Sequence, residues 1–106
     1  MISYEKAAAI MKEVFSECQQ LRDAGQKEYA HDLENALANF ERVASLTGQT
    51  REQVLFTYMY KHIDGISAWI SGHQSQRESV KGRINDAIVY LCLLRSMVED
   101  REDQRV

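Results

Sequence analysis

The chain has 106 residues, 44% of them hydrophobic and 27% charged, which is the balance of a water-soluble globular domain with one core. It has no proline and only five glycines, which disfavours turn-rich all-β folds and favours long helices. The formal net charge is −3, so the sequence predicts no direct nucleic-acid binding. With neither a signal peptide nor a run of roughly 18 apolar residues, we expect a cytoplasmic protein without membrane contact.

The first two predicted helices are separated by glycine. Apolar residues at spacings of three and four predict helix one from Tyr4 to about Ala24, with Gly25 as its C-terminal cap. Asp32 is the expected N-cap of helix two, which Gly48 would close. The boundaries therefore predict a short connection between two helices of unequal length.

Helix three begins with a capping box of Thr50 and Gln53 and is expected to end near Ser71. Lys61 and Asp64, three residues apart, share its polar stripe. Gly65 would let another group approach the backbone closely. We expect a buried stripe that consists of Leu55, Met59, His62, Ile66 and Trp69.

Helix four is expected to begin at a capping box of Ser75 and Glu78 and to run to about Asp100, with a frayed charged tail from about residue 99. Its segment AIVYLCLL, residues 87–94, is apolar on every side, which predicts burial all round and therefore a buried Leu91. The four helices together predict one all-α domain resembling a four-helix bundle, with helix four at its centre. Because so small a bundle has little material to cover a central helix, we also expect a homo-oligomer.

Three polar sets interrupt the apolar helices: Asp32, Asn35, Asn39 and Arg42 on helix two, Lys61 and Asp64 on helix three, and Arg83, Asp86 and Tyr90 on helix four. Asparagine is unfavourable inside helices, so its amides suggest a hydrogen-bonding role. A carboxylate that enters an apolar helix must be paired or must bind a ligand. Each set also has a purely structural alternative. The amides of helix two could be solvated, and Lys61 and Asp64 could form a surface ion pair. Asp86 could pair with Arg83 or a lysine of helix three, and His62 could be an ordinary core histidine.

The segments QKEYAHDLENALANFERVA, KHIDGI and ESVKGRINDAIVYLCLL resemble small phage and prophage proteins of the nucleotide modification associated domain type. More distantly, they resemble the MazG-type all-α nucleoside triphosphate pyrophosphatases. The resemblance covers roughly residues 18 to 98. It is carried by Lys27, Tyr29, Asn39, Phe40, Lys61, Asp64, Glu78, Asp86 and Tyr90. It implies a nucleotide-like ligand and, for an enzyme, Mg²⁺.

The sequence departs from the pyrophosphatases at their metal-binding motifs, which pair acidic residues as Glu-x-x-Glu and Glu-x-x-Asp. Its only Glu-x-x-Glu is Glu99 with Glu102 in the charged tail, and Arg83 stands where the acid before Asp86 would be. Magnesium sites are built from several oxygen ligands. An enzyme would therefore have to hold Mg²⁺ on a reduced set, which is Asp64, Glu78 and Asp86.

Three functions remain open at this point. The chain could bind a nucleotide or nucleotide-derived molecule between helices two, three and four. Phosphate would meet Lys61 and Arg83, the base would meet Asn35 or Asn39, and an aromatic side chain such as Tyr29 or Trp69 could stack on it. It could be a metal-dependent nucleoside triphosphate pyrophosphatase with a reduced acidic site. It could also be a protein–protein interaction module that uses the apolar faces of helices three and four and has no small ligand.

Overall fold

The structure is a computed structural model that describes residues 1–30, 33–74 and 77–104. Most of these residues are helical and none of them forms a strand, which confirms the predicted all-α class. No helix in the described residues combines the length and apolar content that a membrane span requires. The four α-helices are α1 Tyr4–Gly25, α2 Ala38–Thr47, α3 Arg51–Ile70 and α4 Val80–Gln104, and a π-helical turn Gln26–Ala30 follows α1.

Helix α1 has nearly the predicted bounds, but Gly25 does not cap it, since the backbone continues directly into the π-helical turn. Of the apolar residues at spacings of three and four in α1, only Cys18 is buried, whereas Met11 is exposed. Cys18 Sγ donates a hydrogen bond to the carbonyl oxygen of Asn85, whose side-chain amide donates to Glu17 at 2.7 Å. Helix α1 is thus attached to α4 by its C-terminal half.

Helix α2 begins at Ala38, later than predicted, and its expected cap Asp32 lies outside the described residues. Before the helix, the Leu37 N–H donates a hydrogen bond to Asn35 Oδ1 at 3.1 Å, so the asparagine stabilises a turn instead of a helix interior. Asn35 therefore lies outside the helix on which the polar stripe was predicted. The predicted end is correct, because Gly48 adopts a left-handed conformation with φ 73° and caps the helix.

Helix α3 has the capping box that the sequence predicts at Thr50 and Gln53. Leu55, Met59 and His62 are buried along its predicted stripe. Trp69 at the end of the stripe is 53% exposed, so its predicted burial is wrong. Helical periodicity identifies which residues share a face, but it does not show how far a neighbouring helix extends along that face.

Helices α3 and α4 run antiparallel and are joined at one end by ion pairs. Arg51 Nη2 lies 2.8 Å from Asp100 Oδ2, and Arg101 Nη2 lies 3.1 Å from Glu52 Oε1. These pairs involve the start of α3 and the end of α4, and α4 remains helical to Gln104. The predicted fraying from residue 99 is therefore wrong, because the charged tail has charged partners on α3.

The start of α4 also differs from the prediction. The helix begins at Val80, and the Gly82 N–H donates a hydrogen bond to Ser79 Oγ at 3.0 Å. Ser75, half of the predicted capping box, lies outside the described residues. Glu78 lies beside α3 instead, which brings its carboxylate to the site described below.

The core lies where α2, α3 and α4 meet, and its buried members are Leu37, Phe40, Val54, Leu55, Leu93 and Met97. Helix α3 packs on α4, while α1 packs on α4 and α2 packs on α3. Leu91 is 52% exposed, so a single chain does not bury helix four all round as predicted. Within the apolar segment of α4, Leu91 and Cys92 are exposed, so one side of it is left open.

Exposed apolar side chains form a stripe on each helix of the central pair. We call them together the open face: Phe56, Tyr60, Ile63 and Ile70 on α3, with Ile84, Leu91 and Val98 on α4. The three α4 residues are seven positions apart and so share one side of the helix. Phe56 and Leu94 line one shallow depression, and Leu94 neighbours Leu91 and Val98 on the helix. The two stripes therefore adjoin along the α3–α4 contact.

Candidate functional site

Two adjoining cavities lie beside the core, and we call them together the cleft. One has a volume of about 110 Å³ between α1, α2 and α4, and the other about 680 Å³ between the π-helical turn, α2, α3 and α4. Tyr29, Asn39 and Tyr90 line both. The larger volume is within the usual range of small-molecule sites, roughly 300–1,000 Å³.

Four of the residues predicted to bind a ligand line the cleft: Asn39, Lys61, Asp86 and Tyr90. Three others, Asn35, Asp64 and Arg83, are not among its lining residues. Polar lining residues that sequence reasoning missed include Arg22 in the last turn of α1 and Tyr58 on α3. An arginine in the last turn of a helix and a half-exposed tyrosine have no distinguishing pattern in the sequence, so no signal could have singled them out.

Tyr90 stands at the junction of the cleft and the core. Its ring centroid lies 6.3 Å from that of Phe40 and 5.8 Å from that of His62. Burial raises the pKa of Tyr90, so its hydroxyl stays protonated at neutral pH and can donate a hydrogen bond. Tyr90 thus offers the cleft both an aromatic face and a polar group.

Two arginines donate hydrogen bonds that hold the π-helical turn and the segment before α2 beside the cleft. Arg42 Nη2 donates a hydrogen bond to the carbonyl oxygen of Tyr29 at 2.5 Å. Arg22 Nη2 donates to the carbonyl oxygen of Ala36 at 3.3 Å and to Gln26 Oε1. These bonds hold Tyr29, whose ring is largely exposed, at the rim of both cavities.

Beneath the cleft, a histidine and two carboxylates form a compact cluster. His62 Nδ1 lies 3.5 Å from Asp86 Oδ2 and 3.7 Å from Glu78 Oε2. The His62 side chain is 5% exposed, and its Nδ1 is a buried atom without a hydrogen-bond partner in the described part of the chain. Burial lowers the pKa of His62 and raises the pKa of Asp86, which favours the neutral form of each.

Arg83 lies on the other side of this cluster and pairs with Glu78, not with Asp86 as considered from the sequence. Its Nη1 is 3.5 Å from Glu78 Oε2 and donates a hydrogen bond to the carbonyl oxygen of Lys61 at 3.3 Å. The guanidinium group passes directly over Gly65, where a Cβ atom would lie 2.5 Å from Arg83 Nε. The close approach predicted at this glycine is confirmed, and Arg83 is the approaching group.

The predicted magnesium set of Asp64, Glu78 and Asp86 does not come together. Among the described residues, the group whose ligand atoms lie within 4.8 Å of one another is His62, Glu78 and Asp86. Asp64 is exposed, and residues two apart on a helix point in widely different directions, so Asp64 and His62 cannot face one point. No salt bridge joins Lys61 to Asp64 in the described structure.

In comparisons with family models, curated proteins and solved structures, nothing matches this chain significantly. The resemblance to phage nucleotide-modification proteins and to MazG-type pyrophosphatases therefore stays a prediction from short motifs.

Proposed function

We propose that the cleft binds a nucleotide or a nucleotide-derived molecule. The observation that supports this proposal is the set of side chains around the larger cavity, whose volume suits a small molecule. Tyrosine rings can stack on a base, an amide can pair with the edge of a base, and a lysine can hold a phosphate. These groups are Tyr29, Tyr58 and Tyr90, Asn39, and Lys61.

Each group has a position in keeping with this role. Lys61 is exposed and lines the larger cavity, so its ammonium can reach a phosphate without the cost of burying a charge. Asn39 is only partly buried and lines both cavities, so its amide is accessible to a ligand. In a phage-infected bacterial cytoplasm, such binding would serve nucleotide metabolism, DNA modification or sequestration of a host defence signal.

Calorimetric titration against a nucleotide panel that includes cyclic dinucleotides and adenosine diphosphate ribose derivatives tests this proposal. We expect heat with at least one compound and a loss of affinity of about tenfold or more in Lys61→Ala, since a charge-assisted hydrogen bond contributes about 1.5–3 kcal/mol. The thermal midpoint should change little, because Lys61 is exposed. Lys81→Ala removes another exposed lysine, outside the cleft, and should bind as wild type does.

Two results would contradict the proposal. Absence of heat with every compound, with and without Mg²⁺, would argue against a nucleotide ligand. Equal losses of nucleotide affinity in Lys61→Ala and Lys81→Ala would show that binding depends on the net charge of the protein and not on the cleft.

The hydrolase alternative has weaker support. A magnesium-dependent pyrophosphatase needs several carboxylates around one point, and Asp64 does not join Glu78 and Asp86. Release of pyrophosphate that requires Mg²⁺ and is lost in Asp86→Asn would favour this alternative over simple binding.

The interaction alternative is favoured by a different observation, the open face. Its seven apolar side chains are large, and each is at least 40% exposed in the single chain. Surfaces of this kind commonly mark sites of association. We propose that a second copy of the chain covers it, which would complete a helical bundle around α3 and α4.

A further inference from the structure

We propose that His62 Nδ1, Glu78 and Asp86 form a binding site for a divalent transition-metal cation of the zinc class, beside the cleft. This site goes beyond nucleotide binding, because it requires only the cation and the three side chains. The two proposals can therefore fail independently.

The first argument is the unpartnered nitrogen of His62. The side chain is only 5% exposed, and its Nδ1 atom has no hydrogen-bond partner in the part of the chain that the structure describes. Buried polar atoms in proteins nearly always have a partner, so an exception calls for an explanation such as an ion. The atom lies 3.5 Å and 3.7 Å from two carboxylate oxygens, and a cation between the three groups would satisfy all of them.

The second argument is the spacing of the ligand atoms. Zinc binds histidine nitrogen and carboxylate oxygen at about 2.0–2.2 Å, so two ligands of a tetrahedral ion lie about 3.4 Å apart. The observed separations from His62 Nδ1 are 3.5 Å to Asp86 Oδ2 and 3.7 Å to Glu78 Oε2. Little movement would be needed to place one ion within bonding distance of all three groups.

The third argument is the chemistry of the donor set. Magnesium and calcium prefer oxygen ligands alone, whereas imidazole nitrogen suits zinc and its transition-metal neighbours. Three protein ligands would leave a fourth position open. Asp86 also lines the smaller cavity of the cleft, so the ion would lie close to a bound molecule.

Arg83 is the group that competes with the ion. Its Nη1 lies 3.5 Å from Glu78 Oε2, the same oxygen that faces His62. A bound cation would repel the guanidinium group, so removing the positive charge in Arg83→Gln should strengthen metal binding. This sign distinguishes a metal site from a network in which Arg83 alone neutralises the carboxylates.

The test begins with protein freed of metal by a chelator, in a Cys92→Ser background, since Cys92 is an exposed thiol that could itself bind metal. We expect calorimetric titration to show one Zn²⁺ bound per chain. We expect bound Co²⁺ to give the visible absorption typical of a low-coordinate ion. His62→Gln, Glu78→Gln and Asp86→Asn should each weaken binding by more than about tenfold, the lower limit for disturbing even outer-shell ligands. The controls His73→Gln and Asp64→Asn alter exposed residues outside the cluster and should bind as the parent does.

Several outcomes would overturn the proposal. These are the absence of stoichiometric Zn²⁺ binding, retention of full affinity in Glu78→Gln and Asp86→Asn, or a loss in His73→Gln as large as in the cluster variants. If His62→Gln fails to fold, the two carboxylate variants decide, because their side chains are 44% and 31% exposed and isosteric replacement leaves packing intact. Weaker Zn²⁺ binding in Arg83→Gln would also contradict the proposed competition.

Discussion

Gly65 organises the polar side of the α3–α4 pair by the absence of a side chain. The guanidinium group of Arg83 occupies the space where a Cβ would be, and from there it reaches the carbonyl oxygen of Lys61 and the carboxylate of Glu78. A glycine inside a helix costs about 0.5–1 kcal/mol relative to alanine. The chain therefore gives up some helix stability at this position and gains room for a charged group beside the cluster.

A double-mutant cycle tests the coupling of Gly65 to Arg83. In the Arg83→Ala background, Gly65→Ala should stabilise the protein by about 0.5–1 kcal/mol, because only helix propensity changes. In the wild type the gain should be smaller or absent, since the new Cβ must displace the guanidinium group. Urea unfolding of the four proteins measures the difference. The same change in both backgrounds would show that the two residues do not interact.

At the scale of the helix, stability is concentrated at the start of α3 and the end of α4. Val54, Leu55 and Met97 are the largest side chains with less than 2% exposure. The same end carries the ion pairs of Arg51 and Arg101. The other end of the helix pair holds the cluster and the half-exposed Trp69, so it has less apolar packing.

Leu55→Ala tests this distribution. The side chain is fully buried, and its truncation should lower the free energy of unfolding by about 2–5 kcal/mol through lost burial and a residual cavity. Leu46→Ala makes the same chemical change on α2, where the side chain is 86% exposed, and should change stability by no more than about 0.5 kcal/mol. Denaturant unfolding gives both values, and similar losses would place the core elsewhere.

The sequence predicted those helix features that depend on local chemistry. The cap at Thr50, the end at Gly48 and the buried stripe from Leu55 to His62 follow from residues within a few turns of one another. The helical tail of α4 instead depends on contacts between distant segments, since its charged residues pair with the start of α3. A charged tail looks frayed until its partners on another helix are known.

The candidate site divides in the same way. Periodicity predicted that His62 faces inward, but it could not show that two carboxylates from α4 and the segment before it face the same point. Conversely, Asp64 seemed a ligand because of its residue type, and the helix turns it outward. Residue type and local spacing therefore suggested a metal site, but the residues that form it are determined by the register between α3 and α4.

For the molecule as a whole, the open face is the main feature that a single chain leaves unexplained. Leu91 lies in its α4 stripe, next to the α3 stripe that begins at Phe56. Burying such side chains yields roughly 25 cal/mol per Å² of apolar surface removed from water, which favours self-association.

Sedimentation velocity at micromolar concentration tests the assembly. We expect a species heavier than the 12.2 kDa of one chain. Leu91→Glu should shift it towards the monomer, because association would bury an unpaired charge. Leu46→Glu changes an exposed leucine outside the open face and should leave the assembly intact. A wild-type protein that sediments as a 12.2 kDa monomer would contradict the expectation.

The antiparallel pairing of α3 with α4 also bears on the order in which the chain folds. The two helices are consecutive, so their contact closes after only a short connection and costs little chain entropy. Helix α1 instead reaches α4 across most of the sequence, through the bonds of Cys18 and Glu17 with Asn85. Pairings between sequence neighbours form early, and distant ones follow once a template exists. The α3–α4 hairpin would therefore serve as the folding nucleus, and the docking of α1, which completes the smaller cavity of the cleft, would come last.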